Sequence, residues 1–192
     1  MKRVCVFSGS RPGFRPAYAR AARDLGEAIA RAGMGLVYGG ASVGLMNDVA
    51  EAAMANGAEV IGVIPQSLMD REVAHHGLTE LRVVPTMHER KALMYELSDG
   101  FVVLPGGFGT LDELFEILTW AQLGLHAKPI TLFNVEGFWE PLTSLLSHFV
   151  REGFVPDDQL ALVSTDIDAR AIVTKMQTWK KPALGPKWID KA

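Results

Sequence analysis

Short apolar runs rich in β-branched residues alternate along the chain with longer stretches whose apolar positions recur every three or four residues. "RVCVFSGS" (residues 3–10) reads as a buried strand, four of its first five residues being apolar. The stretch after it places Ala17, Ala21, Leu25, Ala28 and Ile29 on one helical face, with Pro16 suited to the first turn and Gly33 to the exit. "GLVYGG" is a second strand, and "GLMNDVAEAAMANG" a helix that turns Leu45, Val49, Ala52 and Ala53 inward and closes at Gly57. "EVIGVIP" is a third strand, ended by Pro65. From Gln66 to Pro85 the pattern blurs, and helical spacing returns through Met87, Ala92 and Leu93. "GFVVLPGG", "PITLFN" and "LALVSTD" read as further strands. "TLDELFEILTWAQLGL", "GFWEPLTSLLSHFVREG" and "IDARAIVTKMQTW" read as the helices that follow them.

Six or seven strands alternating with helices imply a parallel sheet, because parallel strands need crossover helices and those helices cover both faces. The expectation is a single doubly wound α/β domain over residues 1–180, with residues 181–192 as a C-terminal tail. Ligands in such sheets sit outside the carboxyl ends of the strands, near the switch point. Three strands end in glycine-rich turns, "FSGSRPG", "YGGASVG" and "LPGGFGT", and all three fall on that edge. Backbone amides at Gly106, Gly107, Phe108, Gly109 and Thr110 could hold a phosphate, with the Thr110 hydroxyl as a further donor.

Composition narrows the partners. A chain of 192 residues, 48% of them hydrophobic, can bury one core, and its net charge of −3 gives no footprint for nucleic acid or an anionic membrane surface. The single cysteine, Cys5, lies within an apolar run and reads as a core residue. No apolar stretch approaches the length that spans a bilayer, and Ser8-Gly9-Ser10 interrupts the first apolar run too soon for a signal segment. The expected location is the cytoplasm.

The dinucleotide and Walker patterns fail. "SGSRPG" and "GGASVG" miss the G-x-G-x-x-G spacing, the second strand ends at Tyr38-Gly39-Gly40 without an acidic residue, and no Gly-Lys-Ser/Thr follows a turn. A mononucleotide is the expected ligand. Arg90 and Lys91 precede the strand leading into the Pro105 loop, and an arginine there could grip phosphate or ribose through its planar fork. Glu113, three residues after Thr110, fits a capping box, while Asp112 and Glu116 suit the positive end of a helix dipole. His75, His76, His88, His126 and His148 show no metal-ligand spacing, and no G-x-S-x-G occurs. No metal, no cofactor and no covalent serine or cysteine chemistry are expected.

"PGGFGTLDE" matches the P-G-G-x-G-T-x-x-E motif of the LONELY GUY (LOG) family, and "CVFSGS", "LVYGGASVGLM", "MHERKA" and "ILTWAQLGLHAKPI" fall in that family's order. The chain therefore resembles the cytokinin riboside 5′-monophosphate phosphoribohydrolases, often mislabelled lysine decarboxylases, over nearly its whole length. It departs from the common form of the second glycine loop at Ala41 and Asn47. The resemblance implies a Rossmann-like homodimer that hydrolyses the N-glycosidic bond of purine riboside 5′-monophosphates, AMP included. It also implies Arg90 and Glu113 as the catalytic pair, with Gly106, Gly107, Gly109 and Thr110 cradling phosphate and Lys91 accompanying Arg90. Ser8, Gly9, Gly40, Glu72, Met87, Phe108, Leu111, Asp112 and Thr119 complete the implied lining. Whether Glu113 or Glu72 is the base stays open at this level. A nucleotide or cofactor carrier of the same fold is the alternative. The helix around Leu114, Phe115, Ile117, Leu118, Trp120, Leu123 and Leu125 is apolar on more than one face, which suits a core helix or a subunit contact.

Overall fold

A computed structural model describes residues 1–69 and 74–182. Seven parallel strands form one sheet in the order β4-β3-β2-β1-β5-β6-β7. They are β1 (Arg3–Phe7), β2 (Gly35–Tyr38), β3 (Val60–Pro65), β4 (Glu80–Val84), β5 (Gly100–Val103), β6 (Ile130–Phe133) and β7 (Val163–Asp166). The helices are α1 (Pro16–Arg31), α2 (Gly44–Ala55), the short α3 (Gln66–Met69), α4 (Met87–Glu96), α5 (Phe108–Gln122), α6 (Glu140–Arg151) and α7 (Ala169–Thr178).

Side chains alternate across the pleat and so divide the core in two. Val4 and Val6 of β1 join Leu25 of α1, Val49 of α2 and Ile172 of α7. Cys5 and Phe7 face the other way, against Met94 of α4, Leu114 and Ile117 of α5, and Leu146 of α6. Helices therefore cover both faces, as the alternating pattern predicts. After β1 the chain winds outward through β2 to β4, then returns to place β5 on the other side of β1. The switch point lies between β1 and β5, where their two glycine loops leave the sheet together.

Three local expectations change. Edge strand β4 lies within the blurred segment, because its first and middle residues, Glu80 and Arg82, carry charge and among the described strands it pairs with β3 alone. Helix α5 opens at Phe108 behind Gly107, two residues before Thr110, so Thr110 and Glu113 do not form a capping box. The capping box is instead on α4, where Thr86 and Glu89 each accept from the other's backbone N–H, at 3.2 and 3.0 Å. The helix expected over residues 137–153 divides into a 3₁₀ turn (Val135–Gly137) and α6, Gly137 having a φ of 75°.

Candidate active site

The two loops at the switch point are tied to each other. Gly9 N–H donates to the Pro105 carbonyl at 3.0 Å, and Leu45 N–H, opening α2, donates to the Gly9 carbonyl at 3.1 Å. A Cβ at Gly9 would lie 3.3 Å from the Gly106 Cα, and one at Gly44 would lie 2.4 Å from the Ser10 backbone. These glycines let three chain segments converge. Gly107 and Gly109 differ, because a Cβ at either would meet nothing within 4 Å. No packing demand of the fold explains them, whereas open space in front of a helix N-terminus is what an anion needs. The first N–H groups of α5 have no partner within the helix and point into that space. Thr110 is buried, its side chain packed over the Gly106 Cα.

Arg90 is reached from the first turn of α4, which the Thr86–Glu89 capping box fixes in place. Its guanidinium is buried under the carboxyl ends of two strands. Nε donates to the Val63 carbonyl at 3.0 Å, and Nη2 donates to the Gly39 carbonyl at 3.3 Å. Nη1 meets the Met87 sulfur at 3.3 Å and Glu113 Oε1 at 3.5 Å. Gly39 leaves room for this arrangement, since a Cβ there would stand 2.0 Å from Nη2. Gly40 has a separate reason to be glycine, a φ of 74° with Val63 and Ile64 close by.

Glu113 lies on the next turn of α5 and is only 8% exposed. Burial pushes its carboxyl up to about 7, against the pull of the Arg90 guanidinium. The group is therefore poised to gain or lose a proton near neutrality, which suits acid–base work. Lys91, beside Arg90, turns to α5 as well. Its ammonium lies 3.0 Å from Asp112 Oδ2 and 3.2 Å from Glu116 Oε1.

Of the expected site residues, Gly9, Met87, Arg90, Lys91, residues 106–110, Asp112 and Glu113 come together around the switch point. Leu111 is half-buried on α5 beside Asp112 and faces the α4–α6 side of the core. Ser8 follows β1 as a buried hydroxyl with no hydrogen-bond partner among the described residues. Glu72 lies outside the described residues. Thr119 stands apart: it is nine residues along α5 from Thr110, about 14 Å of helix, and its hydroxyl donates to the Phe115 carbonyl at 2.6 Å. Gly39, the Val63 carbonyl and the Thr86–Glu89 box were not singled out from sequence. The box could have been read from "TMHE", but the fit of Gly39 to a side chain 51 positions away could not.

A parallel doubly wound sheet, an open helix N-terminus at the switch point and a buried arginine–carboxylate pair define a Rossmann-type α/β protein with a site for an anionic ligand. A family model described as "Possible lysine decarboxylase" matches residues 46–176. A cytokinin riboside 5′-monophosphate phosphoribohydrolase of Oryza sativa subsp. japonica is 45% identical over 190 residues, 98% of this chain and 78% of that one. Its counterpart from Rhodococcoides fascians is 54% identical over 155 residues, 80% of this chain and 78% of that one. The chain belongs to this LOG family, the cytokinin riboside 5′-monophosphate phosphoribohydrolases. Among solved structures, a molybdenum cofactor binding protein from Rippkaea orientalis superposes with a TM-score of 0.69 at 21% identity, covering 93% of this chain and 97% of that one. The Chlamydomonas reinhardtii molybdenum cofactor carrier protein gives a TM-score of 0.69 at 20% identity over 93% of this chain and 99% of that one. At that identity they speak for the fold.

Proposed function

We propose that this protein hydrolyses the N-glycosidic bond of adenine-type nucleoside 5′-monophosphates, cytokinin nucleotides or AMP, to free base and ribose 5-phosphate. The observation that carries the reading is the buried Arg90–Glu113 pair, 3.5 Å apart, one turn beyond an unobstructed helix N-terminus on the same helix. Phe108 to Glu113 is about 8 Å of helix axis, which lets one element hold the 5′-phosphate and bring a carboxylate to the sugar. Bond cleavage builds positive charge on the ribose ring, as in other glycoside hydrolyses. Ionised Glu113 stabilises that charge and takes a proton from the water that adds to the anomeric carbon, while the departing base gains a proton. Anchoring the phosphate at residues 106–110 fixes the reacting centre from a distance.

Relatives named phosphoribohydrolases, 45% and 54% identical, support this reading. It is tested by incubating the protein with AMP and with isopentenyladenosine monophosphate and following free base by chromatography. Release of base from at least one is expected; binding of both without release would overturn the reaction and favour a carrier. The specificity constants of the two then rank adenine against its prenylated form. Decarboxylation of lysine through a pyridoxal Schiff base finds no support here, because Lys91 is committed to two carboxylates.

The working unit is a homodimer in the cytoplasm. Leu114 and Ile117 of α5 are buried in the core, whereas Leu125 and Phe154 are exposed. Phe115, Leu118, Phe149 and Val155 line an apolar hollow between α5 and α6, and such patches suit a subunit contact. Among the described residues no helix is long and apolar enough to cross a membrane. Light scattering should give twice the chain mass; a monomer at micromolar concentration would refute the dimer.

A further inference from the structure

Three carboxylates on the first turns of α5 sit beside an anion site, where electrostatics alone would not put them. Only Glu113 faces Arg90. Asp112 and Glu116 both meet the Lys91 ammonium, which is 11% exposed, whereas Asp112 is 60% and Glu116 is 24% exposed. Two of the three donors of the Lys91 ammonium are thus engaged by α5, at 3.0 and 3.2 Å. Its neighbour Arg90 and the intervening Glu113 make the parallel contact one step deeper. Two adjacent cations of α4 therefore interlock with three acids of α5.

We propose that Lys91, Asp112 and Glu116 form a positioning bridge that fixes α4 against α5 and sets the Arg90–Glu113 geometry, and that Lys91 acts through this bridge and does not serve as a phosphate ligand. Glu116 is the principal arm, since it is the more buried carboxylate and loses more by being left unpaired. The bridge rests on the hydrolase reading only for its catalytic consequence. The charged and titratable groups facing Glu113 are Arg90 and Lys91 on α4, Asp112 and Glu116 on α5, and the buried Cys5 thiol on β1. Lys91 draws the Glu113 carboxyl down, and Glu116 pushes it up.

The test compares Glu116→Gln, Lys91→Met and Lys91→Arg with the parent protein. Loosening a catalytic pair by a fraction of an ångström lowers kcat by roughly tenfold with little change in KM. Lys91→Met and Glu116→Gln should each show this split, their combination should cost no more than the worse single change, and Lys91→Arg should recover most of the loss. The acid limb of the kcat/KM profile should move up in Lys91→Met and down in Glu116→Gln. A rise in KM for the monophosphate at unchanged kcat in Lys91→Met would overturn the bridge and make Lys91 a phosphate ligand. Should Lys91→Met fail to fold, Glu116→Gln, which keeps the shape of the contact, decides alone through its kcat loss and limb shift. If neither monophosphate is hydrolysed, the hydrolase reading falls, and the bridge is read separately in the substrate-free protein. A carbon-13 NMR titration of the Glu113 carboxyl should then move in opposite directions in the two variants; an unmoved titration sinks it.

Discussion

Replacing Glu113 by glutamine should stabilise the protein above neutral pH while abolishing its turnover. The carboxyl titrates at about 7 in the folded chain because burial penalises its charge. In the unfolded chain it returns to about 4.3. A folded value raised above the unfolded one means that the folded state holds the proton more tightly. The favourable contribution is fully present below the unfolded value and is lost as pH rises through the folded one. The gap is worth about 4 kcal/mol, most of it lost between pH 5 and pH 8. Glutamine keeps the size and an acceptor for Arg90 without this proton, so its stability advantage should grow by about 2–3 kcal/mol over that window and flatten above it. Urea unfolding of both proteins at four pH values measures the difference directly. The lowered carboxyls Glu59, Asp99 and Asp166 act in the opposite sense at lower pH. They are common to both proteins and cancel in the comparison. A pH-independent difference, or a glutamine variant less stable than the parent at pH 8, would refute a buried carboxylate held near neutrality by desolvation.

The same proton should appear in the kinetics: with ionised Glu113 as the active form, kcat/KM should rise with pH through one proton near pH 7, and a flat profile from pH 5 to pH 8 would remove Glu113 from that role. Arg90→Ala should strand the buried Glu113 and cost about 3–5 kcal/mol in urea unfolding, so a loss below about 1 kcal/mol would mean the pair is not buried as described. Gly39→Ala places a methyl 2.0 Å from Arg90 Nη2 and should depress kcat with the fold retained; unchanged kcat would show that Arg90 can shift freely. Gly109→Ala, in open space on the first turn of α5, should raise stability by about 0.4–1 kcal/mol and yet raise KM for the monophosphate. A variant with unaltered KM would leave that glycine without a ligand to explain it.

The architecture was legible because its parts repeat a simple rule. The β1 residues Val4, Cys5, Val6 and Phe7 are all buried, two on each face, so the strand reads as a continuous apolar run. β4 obeys the other rule for strands, since an edge strand with one neighbour carries charge and loses its apolar signature. The site was legible in its motif and in the pairing of Arg90 with Glu113, which the structure brings to 3.5 Å. Its supports were not, because they are backbone carbonyls and spaces. The Gly39 carbonyl and the Val63 carbonyl hold Arg90, and neither residue type announces that role. Thr119 marks a different limit, since helix geometry alone separates it from the glycine loop that opens α5.

The acids of α5 show how local and tertiary electrostatics divide one cluster. The sequence suggests that Asp112 and Glu116 suit the helix dipole, but α5 opens at Phe108 and has no acid in its first turn, where that dipole acts. The dipole therefore cannot be what separates them. The fold does, by what it brings opposite each: Arg90 across from Glu113, and Lys91 across from Asp112 and Glu116. Lys91 offsets one of the two outer negative charges and so lessens their repulsion of an anion at the helix end. Burial penalises the charge of the third by more than Arg90 restores, and its proton affinity rises accordingly. Two nearly adjacent glutamates on one helix thus come to differ in burial as well as in the cation each one faces.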